Sequence, residues 1–179
     1  MSDSSKFYYS TGIKYNKVDQ LNLFIENEAR FSWIPNFHVC QNFNQTPFLD
    51  DFLKDVGNEF GGFLALYKIP AKCIYTWHTD YLFPWVINMV LDDFNSHTLF
   101  VQREENKWLL YVDELVYTPG EWVLFNSRET HSIINLDHRD RVLVSYRIRP
   151  GTLGYTHKNS TYQDVLDWFR NKYKLNVAT

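Results

Sequence analysis

His78-Thr79-Asp80 sets an imidazole and a carboxylate two residues apart, a second imidazole, His131, follows far downstream, and Arg141 lies ten residues beyond it. Two imidazoles and one carboxylate can hold a divalent transition metal on one face and leave the opposite face open to chemistry, a donor set that suits non-haem Fe(II). Zn(II) accepts the same donors, although the helical His-Glu-x-x-His arrangement of many zinc hydrolases is absent from the chain. Arg141 stands next to Val142, Leu143 and Val144, where a buried cation is costly without an anion. Its paired donors match a carboxylate. Metal triad and arginine together point to a small dicarboxylate, one end on the metal and the other on Arg141, with Ser145 on the same strand face as a second contact. Two alternatives stand beside this. Arg141 can instead pair with Asp137 or Asp140 in the preceding loop, and Arg147, on the same face, can serve as the anchor. His138, Arg139 and Arg149 read as solvated, and His97 as a surface residue in a turn.

These residues need strands to position them. Between residues 61 and 150, short runs rich in Val, Ile, Tyr, Phe and Trp alternate with turn signals. Strands are expected near 63–69, 72–80, 86–91, 98–102, 108–112, 122–125, 131–134 and 141–149, with hairpin ends at 92–96 and 103–107. Pro119-Gly120 is a type II turn pair. Side chains alternate along a strand, which puts Ile74, Thr76, His78 and Asp80 on one face and Tyr75 and Trp77 on the other. The spacing predicts a mainly β fold: a jelly-roll barrel with about three flanking helices. One helix covers 18–30. A second starts at Thr46 as N-cap with Pro47 in the first turn and buries Phe48, Leu49, Phe52, Leu53, Val56 and Phe60, with Gly57 a modest cost. A third covers about 162–173, with Ser160 and Gln163 as a capping box. The first dozen residues read as polar and loose.

The chain has 179 residues, a net charge of −3 and 18% aromatic residues, consistent with one domain over 1–179 that buries a sizeable core. Helices are expected over 18–60 and 160–174 and the β core over 61–150. The charge balance speaks against nucleic acid as a partner. Cys40 and Cys73 are too few for a disulfide framework. The start lacks the apolar stretch of a signal peptide, and the apolar runs are too short to span a bilayer. A cytoplasmic protein is expected, its oligomeric state open.

His78-x-Asp80, then Pro119-Gly120-Glu121-Trp122-Val123-Leu124-Phe125, His131, Asn135 and Arg141 resemble the Fe(II)/2-oxoglutarate-dependent oxygenases over about residues 63–149. The run Tyr75-Thr76-Trp77-His78-Thr79-Asp80 and the His-to-Arg spacing are most similar to the aspartyl/asparaginyl β-hydroxylase and proline 3-hydroxylase branch. The resemblance implies a double-stranded β-helix fold. It implies His78, Asp80 and His131 as Fe(II) ligands and Arg141 as the partner of the 2-oxoglutarate C5 carboxylate. Asn88 falls where that branch often places a polar cosubstrate contact, and Ser145 is a further candidate. The implied reaction consumes O2 and 2-oxoglutarate, releases succinate and CO2, and hydroxylates proline, aspartate or asparagine, free or within a peptide.

Pocket elements are expected at 81–85, 127–130 and 151–158, with Arg128 a candidate for a substrate carboxylate. Two rival classes compete. A cupin that is not an oxygenase generally carries His-x-His and a nearby Glu, absent here. In a non-catalytic β-sandwich module the aromatics would stack a ligand and the triad would be coincidence. A nucleobase demethylase needs a basic surface, and the chain carries few clustered Lys or Arg outside residues 139–149.

Overall fold

The computed structural model describes residues 4–34, 37–40, 45–103, 110–147 and 160–173. In chain order the elements are β1 (Tyr8–Lys14), α1 (Val18–Asn27), β2 (Ser32–Ile34), β3 (Phe37–Cys40), α2 (Gln45–Phe48), α3 (Asp51–Phe60), β4 (Phe63–Ile69), β5 (Cys73–His78), β6 (Val86–Val90), β7 (Ser96–Arg103), β8 (Leu110–Leu115), β9 (Glu121–Phe125), β10 (His131–Asn135), β11 (Arg141–Arg147) and α4 (Tyr162–Tyr173). A larger sheet runs β1-β9-β6-β11-β4-β3-β2 and a smaller one β5-β10-β7-β8. All pairings are antiparallel. From β4 to β11 the chain passes repeatedly between the two sheets. That wrapping is the double-stranded β-helix, a jelly roll with flanking helices.

Period-two alternation decides which residues reach the space between the sheets. On β6, Ile87 and Met89 join the cluster under the helices, while Val86 and Val90 belong to clusters on the other face. On β9, Trp122 and Leu124 face the helices and Val123 and Phe125 face inward. On β11, Val144 and Tyr146 pack under the helices and Leu143 inward. Arg141, Ser145 and Arg147 share the parity of Leu143, and Asn88 that of Val86. The larger sheet is covered on both faces, so its central strands are apolar almost throughout.

Several elements differ from the sequence reading. The polar start is a strand, because β1 pairs with β9 at the sheet edge and needs only backbone donors. β2 and β3 extend the opposite edge. β5 ends at His78, so Asp80 lies just past it. His97 sits in β7 rather than a turn and faces Glu114, Nδ1 to Oε1 2.5 Å. The second helix breaks in two. Tyr15 Oη donates to the Phe48 carbonyl, and Lys17 Nζ donates to those of Pro47 and Leu49. Asp50, not Thr46, then caps α3 by accepting from the Leu53 N–H at 2.9 Å. At α4 the reciprocal box is Thr161 with Asp164, one residue on from Ser160 and Gln163; the Ser160 carbonyl instead accepts from Trp85 Nε1. The strand reading 108–112 falls partly, and the pocket segment 151–158 and Arg149 wholly, outside the described residues.

Gly57 has a packing role as well as a propensity cost. A Cβ there would lie 2.8 Å from Tyr146 Oη on β11, and Tyr146 is buried. Gly57→Ala therefore lowers stability by about 1–3 kcal/mol, although alanine favours a helix by up to about 1 kcal/mol. Adding Tyr146→Phe recovers much of that loss. Chemical denaturation of both variants checks this; an unchanged midpoint in Gly57→Ala contradicts it.

Candidate metal centre

The triad is assembled where β5 pairs with β10. His131 lies opposite His78, and Ile133 lies opposite Tyr75. One extra residue on β5 makes a β-bulge, a device that re-aims side chains. Tyr75 and His78 turn to the same side, with ring centroids 4.1 Å apart, while Ile74, Thr76 and Trp77 are exposed. The expectation that Ile74 and Thr76 share the face of His78, with Tyr75 opposite, is thus reversed; strict alternation has no place for the inserted residue. Asp80 is fixed by its backbone N–H, which donates to the Ser127 carbonyl at 2.8 Å. The Ser127 hydroxyl donates to the Phe83 carbonyl. Two of the expected pocket segments, 81–85 and 127–130, are tied together through this one buried serine.

His78, Asp80 and His131 each offer a ligand atom, and these atoms all lie within 4.8 Å of one another. The two imidazoles are held alike. His78 Nδ1 meets the Thr76 carbonyl at 2.7 Å and His131 Nδ1 meets the Glu129 carbonyl at 2.8 Å. A carbonyl only accepts, so Nδ1 carries a proton in each ring and Nε2 is the nitrogen turned to the cluster for a metal. Such outer contacts orient ligating histidines. His131 is buried, while His78 and Asp80 are half-buried, which leaves one side of the cluster reachable. Two imidazole nitrogens and one carboxylate oxygen on one side suit a divalent metal.

Arg141 is 1% exposed. Its Nη1 donates to Ser96 Oγ at 2.7 Å and Thr98 Oγ1 at 3.1 Å; Nε and Nη2 are buried with no hydrogen-bond partner. Neither loop carboxylate reaches it. Asp137 pairs with Arg139 and His138, and Asp140 accepts from the Ala71 N–H. Among the described residues Arg141 has no carboxylate partner. Burial pulls its guanidinium below the ordinary value, yet arginine stays charged in proteins. Arg139 is not simply solvated: it bridges Asp92 and Asp137. Asn135 pins the turn ahead of β11, its amide donating to the carbonyls of Ile69, Pro70 and Arg139.

An open cavity of about 590 Å³, counting the part open to solvent, contains the triad and extends between the sheets to Asn88, Thr98 and Tyr117. Asn88 is buried, and its Oδ1 has no hydrogen-bond partner. Arg141 stands just behind that end, bonded to Thr98 and under the Tyr117 ring at 5.0 Å, and borders a smaller recess with Ser96 and Tyr117. Ser145 is not brought to Arg141; its Oγ accepts from Arg147 Nε at 3.4 Å. Arg147 lines the main cavity. Arg128 is exposed, 5.9 Å from the Tyr81 ring. Sequence reasoning missed Tyr117, Thr98 and Tyr75. Tyr117 and Thr98 lie on strand-flanking or strand segments that carry no motif, and Tyr75 is hidden by the bulge. Burial raises the Tyr117 phenol, partly offset by Arg141 and Asn88 beside it.

No protein-family model and no curated protein matches the chain. Solved structures do match in fold. A 2OG-Fe(II) oxygenase family oxidoreductase from Burkholderia pseudomallei superposes with a TM-score of 0.57 at 8% identity, covering 74% of this chain and 77% of that one. HygX from Streptomyces hygroscopicus, solved with nickel, 2-oxoglutarate and hygromycin B bound, gives 0.56 at 11%, covering 80% and 82%. A Pseudomonas putida prolyl-4-hydroxylase gives 0.56 at 12%, covering 82% and 95%. What the chain shares with these oxygenases is the fold. No helix among the described residues is long and apolar enough to cross a membrane.

Burial lowers the His131 pKa from 6.5 to about 4, with His78 and Arg147 adding to the shift against the Glu129 carbonyl and Asp80. The folded ring stays neutral while an unfolded chain takes up a proton below pH 6.5. This costs the metal-free protein up to about 1.4 kcal/mol per pH unit between those values, and nothing above them. Thermal midpoints of metal-free protein should fall as pH drops through this window, and less steeply in His131→Asn. Equal slopes in both proteins contradict the assignment.

Proposed function

We propose that the chain is an Fe(II)- and 2-oxoglutarate-dependent dioxygenase that hydroxylates an amino acid (proline, aspartate or asparagine), free or within a peptide. The observation that carries this reading is buried Arg141, which among the described residues meets no carboxylate and has only the Tyr117 phenol beside its Nε and Nη2 end, behind a cavity whose other part holds the triad. A buried cation without a counterion calls for an anionic ligand. One that also reaches a metal at its other end is a dicarboxylate. Fold likeness to 2-oxoglutarate oxygenases supports the same choice.

His78 and His131 would hold the metal through Nε2 and Asp80 through a carboxylate oxygen. Arg141 would take the distal carboxylate of 2-oxoglutarate past Thr98 and Tyr117. Asn88 would offer a further polar contact; Ser145 has a weaker claim, since it is engaged with Arg147. When bound, iron and 2-oxoglutarate supply the oxidising power that turns a substrate C–H into C–OH with O2, leaving succinate and CO2. The chain's own task is positional. Carbonyl-held imidazoles and the Ser127-tethered Asp80 keep the donors preorganised, and the apolar walls from Phe125, Val86 and Leu143 limit water around the reacting carbon.

Succinate release over a panel of amino acids and peptides, with mass detection of a product gaining one oxygen, tests the activity; succinate formation from no substrate in the panel, together with no uptake of 2-oxoglutarate, contradicts it. His131→Ala and Asp80→Ala should each abolish tight Mn(II) uptake with the fold intact by circular dichroism. Arg141→Met should weaken 2-oxoglutarate binding by about 30-fold or more and at the same time stabilise the ligand-free protein, since it removes an unpaired buried charge. Titration calorimetry and denaturation read the two effects. A variant that keeps full affinity moves the anchor away from Arg141.

A further inference from the structure

β11 carries a second guanidinium into the same interior. Arg147 lies six residues from Arg141 with the same parity, which on an extended strand is about 20 Å between backbones. It is half-buried and lines the main cavity with the triad. Its guanidinium carbon lies 4.4 Å from the Tyr67 ring centre and 4.7 Å from that of Phe83. Among the described residues its side chain donates from Nε to Ser145 Oγ, a long contact at 3.4 Å. Among the described residues no carboxylate pairs with it, and it shares its cavity with His78, Asp80 and His131. Two aromatic faces can hold the plane of a guanidinium without using its N–H donors.

The two arginines differ in access. Arg141 is sealed behind Thr98 and Tyr117; Arg147 sits beside Phe83, which follows the exposed Tyr81 and Leu82 in the segment after the metal motif. A five-carbon diacid bound at the triad is too short to reach both. Building on the dioxygenase reading, we infer that Arg147 is the substrate-binding residue and that the substrate carries a carboxylate, which Arg147 grips while the carbon to be hydroxylated faces the triad. That carboxylate belongs either to a free amino acid's main chain or to a side chain such as aspartate within a peptide.

The test uses the full chain loaded with Mn(II) and 2-oxoglutarate. Binding by calorimetry, and succinate release with Fe(II), are measured for free proline, aspartate and asparagine, for their N-acetyl amides, and for an aspartate-containing capped peptide. Carboxylate-bearing compounds should bind, and the amides of proline and asparagine should not. A response to the capped aspartate peptide and not to the free amino acids assigns the side-chain source; the reverse assigns the main-chain source. Arg147→Gln should weaken the preferred compound about 10- to 100-fold with 2-oxoglutarate affinity unchanged, and Arg147→Lys should recover part of the loss. No preference for carboxylate over amide, or a preference that survives in Arg147→Gln, overturns the inference. Loss of 2-oxoglutarate binding itself in Arg147→Gln also overturns it, by making Arg147 the cosubstrate anchor. A wild-type protein that takes up neither Mn(II) nor 2-oxoglutarate overturns the dioxygenase reading, and this inference with it.

Discussion

A strand covered on both faces gives each side chain two destinations, and in the larger sheet these are the helix-packed core and the space between the sheets. The polar residues that the larger sheet sends to the candidate centre follow from that constraint. Val144 and Tyr146 take the helix side, so Arg141, Leu143, Ser145 and Arg147 must take the inner side. Ile87 and Met89 do the same for Asn88. Polar residues set into otherwise apolar strands are thereby delivered to the cleft without any loop to carry them. The smaller sheet closes the cleft from the other side and brings His131 opposite His78.

The energetics of the cleft are uneven. Its triad end is preorganised by contacts that are all satisfied: two imidazole N–H groups on carbonyls, the Asp80 N–H on Ser127, and the Ser127 hydroxyl on Phe83. Its other end is left unsatisfied, with Arg141 Nε and Nη2 and Asn88 Oδ1 lacking partners. Buried groups in that state cost stability unless something arrives to meet them. Firmly held ligand atoms at one end and a buried guanidinium without a carboxylate beside it at the other suit the dicarboxylate proposed above.

Much of this was legible in the residues. His78, Asp80 and His131 were marked by type and spacing, the Pro119-Gly120 turn by its dihedral demands, and the β core by short β-branched and aromatic runs. What was not legible had physical causes. The bulge at residues 76–77 leaves no compositional trace, so strict alternation puts Tyr75 on the wrong face. The β1 strand is polar because edge strands are held by backbone bonds. Helix starts slipped because Lys17 and Tyr15, distant in sequence, take the carbonyls of residues 47–49. Nothing in the residue types says that Asp137 and Asp140 are occupied by Arg139, His138 and the Ala71 N–H rather than by Arg141; that depends on how the turn before β11 folds.

On the proposed function, one cleft would hold a metal at His78, Asp80 and His131 and a dicarboxylate that ends at Arg141. A crystal structure of the protein grown anaerobically with Mn(II) and 2-oxoglutarate tests it most directly. The expected map has one anomalous peak within bonding distance of all three side chains, with the distal carboxylate of 2-oxoglutarate on Arg141 Nε and Nη2. An ion bound elsewhere, or a dicarboxylate that leaves those two donors bare, would contradict it.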